Sequence, residues 1–185
     1  MSRSIRAALA VAGSIAALAG GVTTAHADQA APRAAAPAAG TVVQLKVAHS
    51  GKCLDLDHGK KDNGAEVRQY TCNATVDQKW RAVPVEDSAF ELRAVASNKC
   101  LEVENSGKQA GARVQQWACS GSPNMRWRFF LVDPVKHLYQ LRPLHVENEK
   151  RCLDIKGAAK GDGAKAQQWY CNQTEAQLWQ FLPVA

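Results

Sequence analysis

The stretch Cys152 to Trp179, CLDIKGAAKGDGAKAQQWYCNQTEAQLW, decides the fold because it occurs three times. Cys100 to Trp127 reads CLEVENSGKQAGARVQQWACSGSPNMRW, and Cys53 to Trp80 reads CLDLDHGKKDNGAEVRQYTCNATVDQKW. The copies align without insertion or deletion. Each holds a second Cys at the same distance from the first: Cys72, Cys119 and Cys171. A Gly-Ala pair recurs in register (Gly64-Ala65, Gly111-Ala112, Gly163-Ala164), and an aromatic precedes the second Cys by two (Tyr70, Trp117, Trp169). Trp80, Trp127 and Trp179 close the copies. Self-similarity at a period of about 50 residues specifies a repeat architecture.

Upstream of the repeats the texture is different. Arg3 and Arg6 open a basic start, residues 7–22 form an Ala-rich apolar run, and Ala25-His26-Ala27 supplies a small-x-small cleavage pattern. Residues 1–27 are therefore expected to be a secretory signal peptide rather than an anchor, since the run is short and Gly/Ala-rich for a membrane span. Residues 28–40, DQAAPRAAAPAAG, carry almost nothing to bury and read as a linker. No other long apolar stretch follows, so no membrane insertion is expected. The whole chain has 23 Lys and Arg against 17 Asp and Glu, net +6; without Arg3 and Arg6 it is 21 against 17, net +4. The basic residues are scattered, and the clustered stripe that nucleic-acid binding calls for is missing.

Six cysteines in a secreted chain point to disulfides. A recurring unit closes on itself, which predicts Cys53–Cys72, Cys100–Cys119 and Cys152–Cys171. Each such loop of roughly 20 residues stabilises by about 3 kcal/mol in the chain-entropy account. Zinc ligands come in pairs two to four apart, which these spacings do not match, so no metal and no cofactor is expected.

Each copy has an apolar lead-in (VVQLKVA, FELRAVA, YQLRPLHV), then CLDL, CLEV or CLDI, then a Gly-rich middle, then VRQYTC, VQQWAC or AQQWYC, then KWRAV, RWRFFLV or LWQFLPV. That is four short strands per copy, with no segment holding a helical apolar period. Asn63-Gly64 and Asp162-Gly163 are tight-turn signals. The third lead-in carries three extra residues around His145 to Lys150, expected as a longer hairpin tip. One copy of under 50 residues cannot bury a core, whereas three together can. A closed threefold arrangement also leaves few sheet edges free. The class is all-β, with repeats over about 41–86, 87–134 and 135–185.

The triplicated C-L-D … Q-x-W pattern resembles the ricin B-chain-like lectins (R-type, Q-x-W repeat), which also occur as carbohydrate-binding modules on bacterial glycoside hydrolases. The resemblance covers residues 41–185. It implies a β-trefoil, six strands forming a barrel and six forming a triplet of hairpins, and binding of galactose- or xylose-type sugars at one shallow site per repeat.

A sugar presents hydroxyls that want charged or amide partners and C–H faces that want a flat apolar surface. Carried onto the family's motif positions, the third copy supplies Asp154, Gln167, Trp169 and Gln177, but Ala176 stands where the family has Asn. The first supplies Asp55, Tyr70, Asp77 and Gln78, with Arg68 at the amide position, free to meet a hydroxyl or an acidic sugar, or to pair with Asp55 or Asp77. The second supplies Gln115, Trp117 and Asn124, with Glu102 for Asp and Met125 for the Q-x-W Gln. It is the copy least expected to bind. The closing tryptophans, Leu54, Leu101 and Leu153 are expected in the core, and the Gly-Ala pairs in turns. The histidines after the leader do not recur in register and are expected at the surface.

No catalytic constellation is visible: no G-x-S-x-G, no H-E-x-x-H and no phosphate loop. Asp55, Glu102 and Asp154 are equivalent positions in separate repeats, too far apart for two-carboxylate glycoside hydrolysis. The expected function is a secreted, non-enzymatic binder of glycans or polysaccharide. The alternative is a trefoil that binds a protein, such as a protease, through its loops; a hydrolase is the third class. The sequence does not fix an oligomeric state.

Overall fold

The computed structural model describes residues 37–184. The leader and residues 28–36 of the linker lie outside the described residues. At 37–40, Pro37 is buried and the Gly40 N–H donates to the Ala82 carbonyl at 2.8 Å.

Twelve strands form, four per repeat. The first repeat has β1 (Val42–Val47), β2 (Cys53–Leu56), β3 (Val67–Tyr70) and β4 (Trp80–Val85). The second has β5 (Ala89–Ala94), β6 (Cys100–Val103), β7 (Val114–Trp117) and β8 (Arg126–Asp133). The third has β9 (Leu138–Pro143), β10 (Arg151–Ile155), β11 (Ala166–Tyr170) and β12 (Trp179–Pro183). In β1 the alternation VVQLKV becomes alternating burial: Val43, Leu45 and Val47 point inward. β1 pairs with β4, β4 with β5, β5 with β8, β8 with β9, β9 with β12, and β12 with β1. These six strands close a barrel. The hairpins β2–β3, β6–β7 and β10–β11 supply the remaining six strands. The fold is a β-trefoil.

Trp80, Trp127 and Trp179 are fully buried with Leu54, Leu101 and Leu153, as their positions led one to expect. Each indole N–H donates to the carbonyl of its own repeat's leucine, at 3.1, 2.9 and 3.2 Å. The polar handle is satisfied while the ring fills the core. The three expected disulfides are present, with Cα–Cα distances of 5.0, 5.1 and 5.1 Å.

A recurrent residue that the sequence reading passed over locks the repeats together. Gln69, Gln116 and Gln168 are fully buried. Gln116 Nε2 donates to the Lys60 and Asp62 carbonyls of the first repeat at 2.7 and 2.9 Å. Gln168 does the same to Gly107 and Gln109 of the second, at 2.6 and 2.9 Å. Gln69 does so to Ala159 and Gly161 of the third, both at 2.8 Å. The Gly-Ala pairs complete these joints. Gly64 N–H donates to the Gln116 carbonyl at 2.9 Å, and Gln116 N–H donates to the Ala65 carbonyl at 3.0 Å. Gly64, Gly111 and Gly163 have φ of 81°, 87° and 84°, a region a side chain strains to enter. The pairs thus serve both a turn and an inter-repeat bond.

One local expectation needs correction. The extra residues of the third lead-in form no hairpin tip: residues Leu144–Glu149 wind into 3-10 turns between β9 and β10. The Asn63-Gly64 and Asp162-Gly163 tight turns form, inside the longer connections 57–66 and 156–165. A 3-10 turn follows each of β2, β6 and β10, and another precedes each closing Trp strand. Segments of three residues have no period to reveal them.

Candidate functional site

Hairpin register assembles each site. Asp55 pairs across the strands with Arg68, Glu102 with Gln115, and Asp154 with Gln167. The neighbouring cross-strand pairs, Cys53–Tyr70, Cys100–Trp117 and Cys152–Trp169, set the aromatic beside that carboxylate. The three carboxylates are buried, whereas Tyr70, Trp117 and Trp169 keep 36%, 42% and 38% of their surface exposed.

In the third repeat, Gln167 Nε2 donates to Asp154 Oδ1 at 2.7 Å and Gln177 Nε2 to Asp154 Oδ2 at 3.1 Å. Gln177 is itself fixed, donating to the Tyr170 carbonyl at 2.9 Å and accepting from the Asn172 N–H at 2.9 Å. It is fully buried, so it orients the carboxylate from behind. In front, Asp154, Gln167, Trp169, Asn172, Thr174 and Ala176 line an open pocket of about 420 Å³. Ala176 leaves room where a larger polar residue would project.

The second repeat reaches the same end by different residues. Gln115 Nε2 donates to Glu102 Oε1 at 2.7 Å. The second donor is Asn124, whose Nδ2 lies 3.2 Å from Glu102 Oε2 and 2.8 Å from the Val103 carbonyl. Met125, in the Gln place, turns its sulfur to the Ser120 N–H at 3.5 Å. Asn124 thus replaces the missing Gln, and the longer Glu102 is held at both oxygens. Glu102, Trp117, Asn124 and Ser122 share a pocket of about 270 Å³.

The first repeat is filled from within. Arg68 Nε donates to Asp55 Oδ1 at 3.0 Å, its terminal nitrogen pairs with Asp57, and its guanidinium lies 5.1 Å from the Tyr70 ring centroid. Gln78 holds the other oxygen, Asp55 Oδ2, at 3.2 Å. Asp77 faces the turn after β2, where a Cβ on Gly59 would lie 2.5 Å from its Oδ1. Arg68 therefore takes the carboxylate and covers the platform. Its second partner is Asp57, not Asp77.

Burial pushes the carboxyls of Asp154, Glu102 and Asp55 above their ordinary values, against the lowering effect of the donated hydrogen bonds. A ligand hydroxyl needs the ionised form as acceptor. Binding is therefore expected to fall as pH is lowered through these raised values, earlier than for an exposed carboxylate of about pKa 4. Stability moves the other way. A folded pKa above the unfolded one contributes stability below the unfolded value, and that contribution is lost as pH rises through the folded value. Retention measured between about pH 7 and pH 4 beside circular dichroism should show binding lost while the fold remains. Coincident loss of both would contradict this.

The carboxylates occupy three separate hairpins. Among the described residues, Glu91 stands near the sulfurs of Cys100 and Cys119, but both are spent in a disulfide. No helix among them is long and apolar enough to cross a membrane.

A closed barrel with three hairpins, each carrying a buried carboxylate beside a partly exposed aromatic, defines a β-trefoil with one such cluster per repeat. The ricin-type β-trefoil lectin domain-like family matches residues 33–117, 76–164 and 123–185, and the chain belongs to that family. Among solved structures it is similar to a designed threefold-symmetric protein, ThreeFoil, at 34% identity over 77% of this chain and 99% of that one, TM-score 0.72. It is similar at 28% identity to an exo-β-1,3-galactanase from Clostridium thermocellum, over 78% of this chain but 30% of that one, TM-score 0.73. A Macrolepiota procera ricin B-like lectin in complex with lactose shares the fold at 17% identity, over 80% of this chain and 98% of that one, TM-score 0.67. No curated protein sequence matches the chain.

Proposed function

We propose that this chain is a secreted, non-catalytic carbohydrate-binding module for galactose- or xylose-type glycans, working through its third and second repeats. The observation that carries the reading is the third-repeat pocket, where the doubly held Asp154 and Gln167 meet an exposed Trp169. Family membership supports it, as does the 28% identity to part of a galactanase. Three disulfides fit an oxidising, extracellular setting. The sites are shallow, so two open repeats would give useful avidity on a polysaccharide. A glycan array tests the reading: binding confined to one terminal sugar type supports it, and no binding to any glycan overturns it.

The first repeat is closed by its own Arg68. Arg68→Gln restores the residue type of Gln115 and Gln167. Calorimetry with a monovalent sugar should then count one more site per chain than in the wild type. An unchanged stoichiometry would show that Arg68 is not what closes the site.

A further inference from the structure

The 3-10 turn Glu175–Gln177, which leads to β12, lines two concavities together with Thr174 before it. Thr174 and Ala176 line the third-repeat pocket, while Glu175 lines a separate groove of about 500 Å³. That groove is made by Lys46 on β1, Gln180 on β12, and Val135, Lys136 and His137 on the β8–β9 connection. In the second repeat, Arg93 occupies the place of Lys46 and is held by Glu91 at 2.7 Å. The residue equivalent to Glu91 is Gln44, which donates instead to Gln78 Oε1 at 3.1 Å. Among the described residues, neither Lys46 nor Lys136 has a carboxylate partner within ion-pair distance.

The groove is also pre-shaped. Asp133 Oδ1 accepts the Val135 and Lys136 N–H groups, both at 2.9 Å, which folds the connection into a side-chain-capped turn. Gln180, the cross-strand partner of Lys46, donates from Nε2 to the Lys136 carbonyl at 2.8 Å. His137 sits at φ 53°, a turn of backbone that aims the connection back into β9. The Lys46 stem runs beside the Gly51 turn, where a Cβ would lie 3.5 Å from Lys46 Cε. Two lysines from different elements therefore line one concavity, with the exposed Glu175 as its one lining carboxylate.

We propose that this groove is an anion subsite that takes the carboxylate of a uronate residue in the same glycan chain whose neighbouring sugar rests on Trp169. The proposal rests on the third-repeat sugar site for the second half of that statement only. Lys46 and Lys136 supply the charge-assisted hydrogen bonds, and the segment 174–176 contributes residues to both concavities.

The test uses tetragalacturonate and its carboxyl-reduced counterpart, titrated into the whole protein and followed by amide and indole nuclear magnetic resonance shifts. The acidic form is expected to move the Lys136 and His137 amides and to bind about tenfold tighter than the reduced form, equivalent to about 1.4 kcal/mol. The Lys46→Gln/Lys136→Gln variant should lose both effects. The Lys61→Gln/Lys108→Gln variant, with the same charge change on exposed lysines elsewhere, should keep them. Unmoved groove amides, or an equal loss in both variants, would overturn the subsite. An unmoved Trp169 indole with a responding groove would instead sink the sugar-site reading and leave the groove as an anion site.

Discussion

Trp169→Ala combined with Asp154→Asn is expected to lower affinity at the third-repeat site by about 100-fold or more. The estimate has two parts. Removing the indole takes away an apolar platform worth about 1.5 kcal/mol, a little over tenfold. Neutralising Asp154 removes charge-assisted bonds to sugar hydroxyls, worth about 1.5–3 kcal/mol. Neither change threatens the fold. Trp169 is exposed at the pocket wall, and Asn keeps the volume of Asp while still accepting from Gln167 or Gln177. The matching change in the first repeat, Asp55→Asn with Tyr70→Ala, should leave glycan affinity nearly unchanged, because Arg68 already occupies that carboxylate. Affinity electrophoresis of both variants reads the contrast. Equal losses in the two repeats would mean that Arg68 does not close its site.

The second large effect is on stability. Gln116→Ala is expected to destabilise the domain by about 3 kcal/mol, the summed consequence of buried carbonyls left unpaired and a cavity at a repeat joint. For a domain of this size that lowers the melting temperature by about 6–12 °C. The three joints are not equal. Gln116 Oε1 accepts from Ser97 Oγ at 2.6 Å, and Gln69 Oε1 from Ser50 Oγ at 2.8 Å. The third repeat has Glu149 in that place, and Gln168 Oε1 is buried without a partner. Gln168→Ala should therefore cost least of the three. Thermal unfolding of the three single variants checks the order, and a larger loss for Gln168→Ala than for Gln116→Ala would contradict it.

What could be read from the sequence followed from recurrence. Cysteines, closing tryptophans and leucines hold the same offsets in all copies because each must fill the same place in a threefold core, so pattern alone located them. Gln69, Gln116 and Gln168 recur equally well, yet they flank the amide expected to face sugar and were hidden by it. Their role depends on which neighbouring repeat they reach, which no single copy reveals. In the second repeat Met125 stands in the Gln place while Asn124 beside it holds Glu102, an exchange that the spacing of one copy does not reveal. In the first repeat, Arg68 left several outcomes open. Its pairing with Asp57 depends on a residue that no other copy carries as an acid at that spacing, save Glu104, which Arg113 takes instead. Side chains that occur once carry no register to argue from.

The central claim is that two repeats present open aromatic platforms while the closing tryptophans stay in the core. The indole N–H spectrum of the protein, recorded with and without the sugar that the array identifies, tests this most directly. The Trp117 and Trp169 signals should move on titration, with those of Trp80, Trp127 and Trp179 fixed. A bound sugar that leaves both exposed indoles unmoved would contradict the account.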